Sequence, residues 1–245
     1  MSIAGGMRFR ADGRTPGQMR PVSIEMDVQK WATASLIYKQ GDTHVLCSAT
    51  LEDRVPSFLR GKGSGWVTAE YAMLPTATSE RMQRESVRGK LGGRTYEIQR
   101  LVGRSLRRVV DTSVMGERTV TVDCDVIQAD GGTRCASITG GYIVLALALR
   151  KAKLEKALLG KIAAISVGIV EVTPLLDLEY TEDSGADVDF NVIGTDAGSY
   201  VEIQGTAEGK PFDRAQIESL LDLADDGLQK LFAIQAEALS NSASE

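Results

Sequence analysis

Asp123-Cys-Asp-Val-Ile-Gln-Ala-Asp-Gly-Gly-Thr-Arg-Cys-Ala-Ser-Ile-Thr-Gly-Gly141 is the stretch on which the fold turns. The residues leading into it, Thr119-Val-Thr-Val122, alternate polar and apolar as a half-buried strand does. The pattern breaks at Gly131-Gly132, after which Ile138, Tyr142, Leu145 and Leu149 recur at helical spacing. The expected order is strand, glycine turn, helix, with Thr133-Arg134 at the helix start. A helix N-terminus leaves backbone N–H groups unpaired and carries partial positive charge, so it favours an anion. The glycines allow close backbone approach, and Arg134 adds a planar fork of donors suited to phosphate. A capped helix with a surface arginine is the plainer account of the same residues, because glycine turns ahead of helices are common.

Working outward, 245 residues suffice for one large domain or two small ones with a real core. No apolar run reaches membrane-span length, and Met1–Met7 lacks the apolar centre of a signal peptide. Those seven residues are native or an appended remnant, and are expected to be flexible. Cys47, Cys124 and Cys135 show no paired spacing. They fit buried free thiols in a reducing cytoplasm better than a disulfide or zinc framework. The net charge of −5 conceals an asymmetry: residues 54–110 carry twelve Lys and Arg against four Asp and Glu, whereas residues 171–245 carry three against seventeen. The basic segment is the footprint expected of a polyanion ligand such as nucleic acid. Solvated helix faces balanced by the acidic half are the alternative.

Residues 8–20 are basic and turn-rich and read as an ordered arm. Strands are expected at 22–28, 32–39 and 43–50, as an antiparallel meander. His44, the only histidine, falls inside the third strand and reads as a packing residue. Residues 51–95 show no clear periodicity and read as a long loop with Phe58, Trp66 and Tyr71 interleaved among its basic residues. Those aromatics suit either base stacking or anchoring of the loop. Leu91-Gly-Gly-Arg-Thr95 opens a helix with Ile98, Leu101, Val102, Ser105, Leu106 and Val109 as its buried stripe. It is a second Gly-Gly-then-Arg start, and two such starts facing one another could hold a phosphate from both sides. Lys151–Lys161 reads as a basic connection, 162–172 and 175–180 as strands, 182–187 as a turn, and 188–195 and 199–206 as strands. Asp187 and Asp189 lie at i,i+2, on one face of a strand, with Asp183 across the turn. Clustered carboxylates call for a cation, and oxygen-only ligands suit Mg²⁺ or Mn²⁺. An exposed acidic hairpin is the simpler alternative. Asp213 and Gln216 form a capping-box pattern ahead of a last amphipathic helix, and 241–245 are expected to fray.

Over residues 8–240 the chain resembles the ribonuclease PH family. The resemblance rests on Glu52-Asp-Arg-Val-Pro56, Phe58-Leu-Arg-Gly61, Gly92-Gly-Arg-Thr95 with Glu97-Ile-Gln-Arg-Leu101, Asp123-Cys-Asp-Val126 with Gln128-Ala-Asp-Gly-Gly-Thr-Arg134, Ala136-Ser-Ile-Thr-Gly140, Ala164-Ile-Ser-Val-Gly168 and Gln204-Gly-Thr-Ala-Glu-Gly209. It implies an α/β (α+β) fold of two related β-α-β-α halves in a single domain spanning 1–245. It implies a phosphate-dependent 3′→5′ exoribonuclease that trims tRNA precursors, possesses the reverse nucleotidyltransferase activity and extends to ribosomal RNA. It also implies a homohexamer built as a trimer of dimers. By the same resemblance Arg94, Gly132, Thr133 and Arg134 bind inorganic phosphate, and Asp183 and Asp189 hold Mg²⁺ or Mn²⁺. Departures occur at Thr76, at Ser79-Glu80-Arg81, at Cys135 and at Asp187, where relatives often carry Arg, His-Thr-Arg, Thr and Glu.

Phosphorolysis needs no protein nucleophile, which agrees with a single histidine and no Gly-x-Ser-x-Gly run. Arg94 and Arg134 are expected to orient the attacking phosphate, and the Asp183–Asp189 metal to neutralise charge at the scissile group. Arg54, Arg60, Arg81, Arg84 and Arg88 are the expected contacts to the RNA strand. Two other classes remain: a non-catalytic RNA-binding ring subunit of an exosome-like assembly, and a metal-dependent hydrolytic nuclease. The absence of a G-x-x-x-x-G-K-[ST] run excludes a P-loop enzyme.

Overall fold

A computed structural model describes residues 10–242. The expected flexible 1–7 segment and residues 243–245 of the expected frayed tail lie outside that range. In chain order the elements are β1 (Val22–Met26), β2 (Ala34–Gln40), β3 (Thr43–Glu52), β4 (Trp66–Met73), the one-turn α1 (Glu85–Arg88), α2 (Gly93–Arg107), the one-turn α3 (Thr112–Met115), β5 (Thr119–Gln128), α4 (Thr133–Lys151), β6 (Ile162–Val170), β7 (Thr173–Leu176), α5 (Tyr180–Ser184), β8 (Val188–Thr195), β9 (Tyr200–Ala207) and α6 (Arg214–Asn241).

Two sheets organise them. The first has the order β1-β2-β3-β5-β4 and the second β7-β6-β8-β9. The meander expected of β1, β2 and β3 is present: both pairs are antiparallel, and the β2–β3 hairpin closes at Gln40 opposite Thr43. Gly41 sits there at φ 55°, a conformation that costs glycine nothing. β4 runs parallel to β5, and every pairing in the second sheet is antiparallel.

Helix α4 lies between the sheets. It touches β2, β3 and β5 on one side and β6 on the other. The sequence shows a single apolar stripe, yet Thr133 and all of Cys135–Leu149 are buried. Being covered on both faces explains the mostly apolar and small composition. Gly140 permits the approach: a Cβ there would come within 2.9 Å of Cys47 Sγ and Tyr38 Cβ. Each fully buried Leu or Ile along α4 contributes roughly 1.5–3 kcal/mol.

Helix α6 covers the outer face of the second sheet. Its expected capping box is formed, Asp213 accepting from the Gln216 N–H and Gln216 from the Asp213 N–H. Leu220, Ala224, Leu228 and Leu231 face Ile165, Val167 and Val192. Buried Gln235 donates to the carbonyls of Thr139 and Ile162, tying α6 to α4 and β6. The layers are therefore sheet, helices, sheet, helix. One hydrophobic cluster contains Leu36 and Val122 of the first sheet together with Ile162, Ala164 and Ile193 of the second.

Four expectations are corrected. Residues 51–95 contain β4, whose Val67, Ala69 and Tyr71 alternate inward; small alanine and threonine neighbours mask that period. Strand pairing after Val170 ends at Leu176, because Asp177 turns out at φ 56° to place its carboxylate against Arg20. Residues 180–184 form α5 across the expected strand end at 180 and the start of the turn expected at 182–187; reciprocal Glu179 and Glu182 capping, with no apolar period, sustains it. Asn241, assigned to the tail, is the last residue of α6.

Candidate active site

The β5–α4 junction is built as the sequence suggests. Gly131 and Gly132 adopt φ 74° and 68°, and Gly132 is the N-cap of α4. A Cβ at Gly131 would lie 2.6 Å from the Leu178 carbonyl oxygen, so only glycine fits. The carbonyls of this turn face inward: Gly131 O accepts from the Thr43 hydroxyl at 2.6 Å, and Asp130 O accepts from Arg20. The opposite face of the turn borders a cavity of about 470 Å³ lined by Gly131, Gly132, Thr133, Arg94, Met82 and Asp183 among others. Thr133 is fixed from below, its hydroxyl 3.0 Å from that of buried Tyr71 on β4.

The second Gly-Gly-Arg start differs from the first. Glu85 Oε1 accepts from the Gly92 N–H at 2.9 Å and from the Thr95 hydroxyl at 2.7 Å. A carboxylate of this chain therefore sits beside the start of α2, on its N-cap N–H and on a first-turn hydroxyl. Of α2, the residue that lines the cavity is Arg94. Arg94 is exposed and makes no hydrogen bond or ion pair among the described residues.

Arg134 is largely covered. Its Nη1 donates to Gln204 Oε1 at 2.7 Å and lies 3.4 Å from Glu97 Oε1. Gln204 in turn donates to Glu202, which pairs with Arg104. Tyr96, Arg100, Arg104 and Gln204 line an adjoining depression of about 350 Å³. Arg100, Arg104 and Gln204 were not among the sequence candidates; the i,i+4 spacing of the two arginines off the apolar stripe was the available signal.

Asp183 projects from α5 into the cavity. Asp189 lies on β8, paired with Gly168 and Thr206, on the strand face that looks toward α4. Burial raises both carboxyls above their ordinary range. The charge of Asp183 raises Asp189 further, to about 6, while Arg134 and Arg94 pull both down. One oxygen of Asp189, Oδ1, is buried with no hydrogen-bond partner. An orphaned carboxylate oxygen beside a second carboxylate is a donor set that fits a hard divalent cation. Among the described residues no group of three or more Asp, Glu, His or Cys is gathered for a metal. Two carboxylates with substrate oxygens completing the shell match Mg²⁺ practice. Asp187 does not join them: it precedes β8 and is exposed.

The expected RNA contacts separate into two groups. Arg81, Arg84 and Arg88 are exposed on the 74–92 segment, whose Thr78, Ser79 and Met82 form a wall of the cavity. Arg54 and Arg60 sit at the other end of the sheet. The Arg54 carbonyl accepts from the hydroxyl of Thr119, the first residue of β5, and the loop of Arg60 is held by Glu117. Ten strand residues separate that end from the cavity, about 33 Å. The aromatics act as anchors: Phe58 meets Trp66 edge-on at 5.4 Å, Arg107 covers Trp66 at 4.3 Å, and Tyr71 is buried. His44 is half-buried on β3 opposite Lys39 and is not among the residues lining the cavity.

Comparison with known proteins places this geometry. Residues 18–154 match the model of the 3′ exoribonuclease family, domain 1, and residues 160–227 that of domain 2. Ribonuclease PH of Syntrophomonas wolfei is 56% identical over 236 residues, covering 94% of this chain and 98% of that protein. The crystal structure of rice (Oryza sativa) Rrp46 superposes with a TM-score of 0.78 at 18% identity, covering 94% of this chain and all of that one. The Archaeoglobus fulgidus exosome with RNA bound to the active site superposes with a TM-score of 0.75 at 22% identity, covering 91% of each chain. At those identities the structures attest the fold, while the sequence matches attest the family. The chain belongs to the ribonuclease PH family of 3′ exoribonucleases.

Proposed function

We propose that the chain shortens RNA from its 3′ end by phosphorolysis. The observation that carries this reading is the convergence, in one cavity, of an anion-binding glycine turn, an unpaired arginine and a carboxylate that sits beside a second, half-buried one. The turn and Arg94 hold inorganic phosphate, and Arg134 adds positive charge from the first turn of α4. An oxygen of that phosphate attacks the last phosphodiester phosphorus. The bond to the 3′-oxygen of the penultimate nucleotide breaks, and a nucleoside diphosphate leaves. The reverse reaction adds a nucleotide from a nucleoside diphosphate.

Bringing one anion onto another is the main barrier, so positioning and charge neutralisation account for the catalysis. Asp183 and Asp189 would hold Mg²⁺ or Mn²⁺; when bound, the ion supplies Lewis-acid charge neutralisation at the scissile phosphate. Arg81, Arg84 and Arg88 border the approach to the cavity. Arg100 and Arg104 extend the basic surface along α2.

Precursor tRNA is the proposed principal substrate, with ribosomal RNA as a second, and the homohexamer is the proposed assembly. A hexamer would let Arg54 and Arg60 of one copy reach RNA held by another. A cytoplasmic location is supported by the three buried, unpaired cysteines. Among the described residues no helix is long and apolar enough to cross a membrane. The retained Arg94, Arg134, Asp183 and Asp189 weigh against the non-catalytic ring-subunit reading. A short RNA with a 3′ tail, incubated with Mg²⁺ with and without phosphate, tests the proposal. Nucleoside diphosphates released only with phosphate are the expected result. Monophosphates released without it would make the chain a hydrolase, and RNA binding without turnover would make it a structural subunit.

A further inference from the structure

The basic arm at residues 10–20 is not a surface arm. Arg10, Arg14 and Arg20 are all buried, with Arg20 only 5% exposed. Arg20 grips Asp177 with both ends of its fork, Nη2 to Oδ1 at 2.7 Å and Nε to Oδ2 at 3.1 Å, and its backbone N–H adds a third bond at 2.8 Å. The same guanidinium donates to the Asp130 carbonyl, just before Gly131, and to the Leu178 carbonyl at 3.3 Å. Asp130 closes the circuit by accepting from the Tyr180 N–H, the first residue of α5, at 3.2 Å. Arg20 thus touches the anion-binding turn on one side and the chain entering α5, the helix of Asp183, on the other.

Arg10 secures α5 separately. It donates Nε to Glu182 Oε1 at 2.6 Å, pairs Nη2 with Glu182 Oε2, and bonds the Leu176 and Asp177 carbonyls at 2.6 and 2.8 Å. Glu182 is the neighbour of Asp183 and caps α5. Thr43 secures the turn separately: its hydroxyl donates to Gly131 O and accepts from the Asp130 N–H at 3.0 Å. The carbonyls of Asp130 and Gly131 are thus both held by Arg20 and Thr43, while Gly131, Gly132 and Thr133 line the cavity. Burying three arginines and their carboxylates is costly. A tight fork-on-carboxylate array also has a single geometry, which is what a site of two converging anion-handling elements requires.

We propose that Arg20 is a positioning residue for phosphoryl transfer, setting the separation between the phosphate-binding turn and the Asp183 carboxylate without touching substrate. Arg10 and Thr43 each hold one side of that pair. The inference rests on the phosphorolytic reading above.

The test uses full-length Arg20→Lys, Glu182→Gln and Thr43→Val, each checked by circular dichroism and melting temperature. Inorganic phosphate and Mn²⁺ are then titrated separately by calorimetry, alongside KM and kcat. Lysine keeps the charge but loses the fork, so Arg20→Lys should weaken phosphate and Mn²⁺ binding each by at least tenfold. Glu182→Gln should weaken Mn²⁺ several-fold and leave phosphate within twofold. Thr43→Val should do the reverse. A purely structural array would lower the melting temperature and leave both titrations of the folded protein superimposable on wild type; that result overturns the proposal. If Arg20→Lys does not fold, the opposite responses of Glu182→Gln and Thr43→Val decide it, and equal or absent responses overturn it. Wild type lacking phosphate-dependent diphosphate release would refute the phosphorolytic reading, while the titrations would still report on positioning.

Discussion

Glu85 caps the helix that begins at Gly93 through the hydroxyl of Thr95, Oε1 to Oγ1 at 2.7 Å, and through the Gly92 N–H at 2.9 Å. Two helix starts with the same Gly-Gly and Arg pattern therefore have different surroundings: a carboxylate of the chain itself beside α2, and a cavity at α4. Removing the cap should cost stability, not phosphate. Glu85→Ala is expected to lower unfolding free energy by about 1 kcal/mol, with the phosphate KM within threefold of wild type. Urea denaturation and phosphate saturation kinetics measure the two. A tenfold rise in KM would mean that the α2 start contributes directly to phosphate binding.

Arg94 and Arg134 should matter through charge and direction. Arg94→Ala and Arg134→Ala are each expected to reduce kcat/KM for phosphate by about 10²–10³-fold, the usual loss on removing a preorganised donor from developing charge. The Arg94 variant should melt at the wild-type temperature, since that side chain is exposed. Arg134→Ala also releases Gln204 and so should lose some stability. An unchanged kcat/KM for phosphate in either variant removes that residue from the site.

Asp189 sets a pH dependence with a definite sign. Folding raises its carboxyl from 3.8 to about 6, chiefly by burial and then by the charge of Asp183. A raised carboxyl favours the protonated state, so its contribution to stability is fully present below about pH 4 and is lost as pH climbs through 6. Above that range the metal-free protein bears a buried charge that Arg134 and Arg94 only partly offset. Asp189→Asn should therefore melt higher than wild type at pH 7.5 in the presence of a chelator, the two converging near pH 4. It should also lose its response to Mg²⁺. Parallel melting curves across that range, or a Mg²⁺ titration that overlays wild type, would contradict the assignment.

Position in the sheet sorts the basic residues. Arg84→Ala combined with Arg88→Ala should weaken binding of a short single-stranded RNA and lower the slope of log K against log salt by about 1–2. Arg54→Ala combined with Arg60→Ala should leave that short RNA unaffected and alter only substrates long enough to reach a second copy. Equal effects on the short RNA would show that the two ends of β5 do not act separately.

Gly131→Ala tests the turn itself. The position lies at φ 74°, and a Cβ there would meet the Leu178 oxygen at 2.6 Å. Strain of about 1–3 kcal/mol is expected, read as a lowered denaturant midpoint, with loss of phosphate-dependent activity. A variant of wild-type stability and activity would show that the turn can relax.

Local order was legible in the chain wherever one short-range rule dominated. The Gly41-Asp42 hairpin, the Asp213–Gln216 cap and the strand–glycine–helix order around Gly131 each depend on neighbours within a few residues, and each forms as expected. The family, too, was legible, because its long runs are linear text. Other features were decided by contacts far apart in sequence. Helix α4 is buried all round because two sheets close on it, which no single stripe announces. Asp177 leaves its strand, and α5 forms, because Arg20 and Arg10 arrive from more than 150 positions away. The same long-range packing left Asp189 Oδ1 without a partner and put Glu85 on the N-terminus of α2. The sequence by itself determined the locally signalled turns, caps and strand–helix order, the family and the residue types able to handle phosphate. Only the tertiary structure decided which glycine turn stays open to an anion and where Asp183 stands relative to it, because burial and ion pairing between distant segments have no local signature.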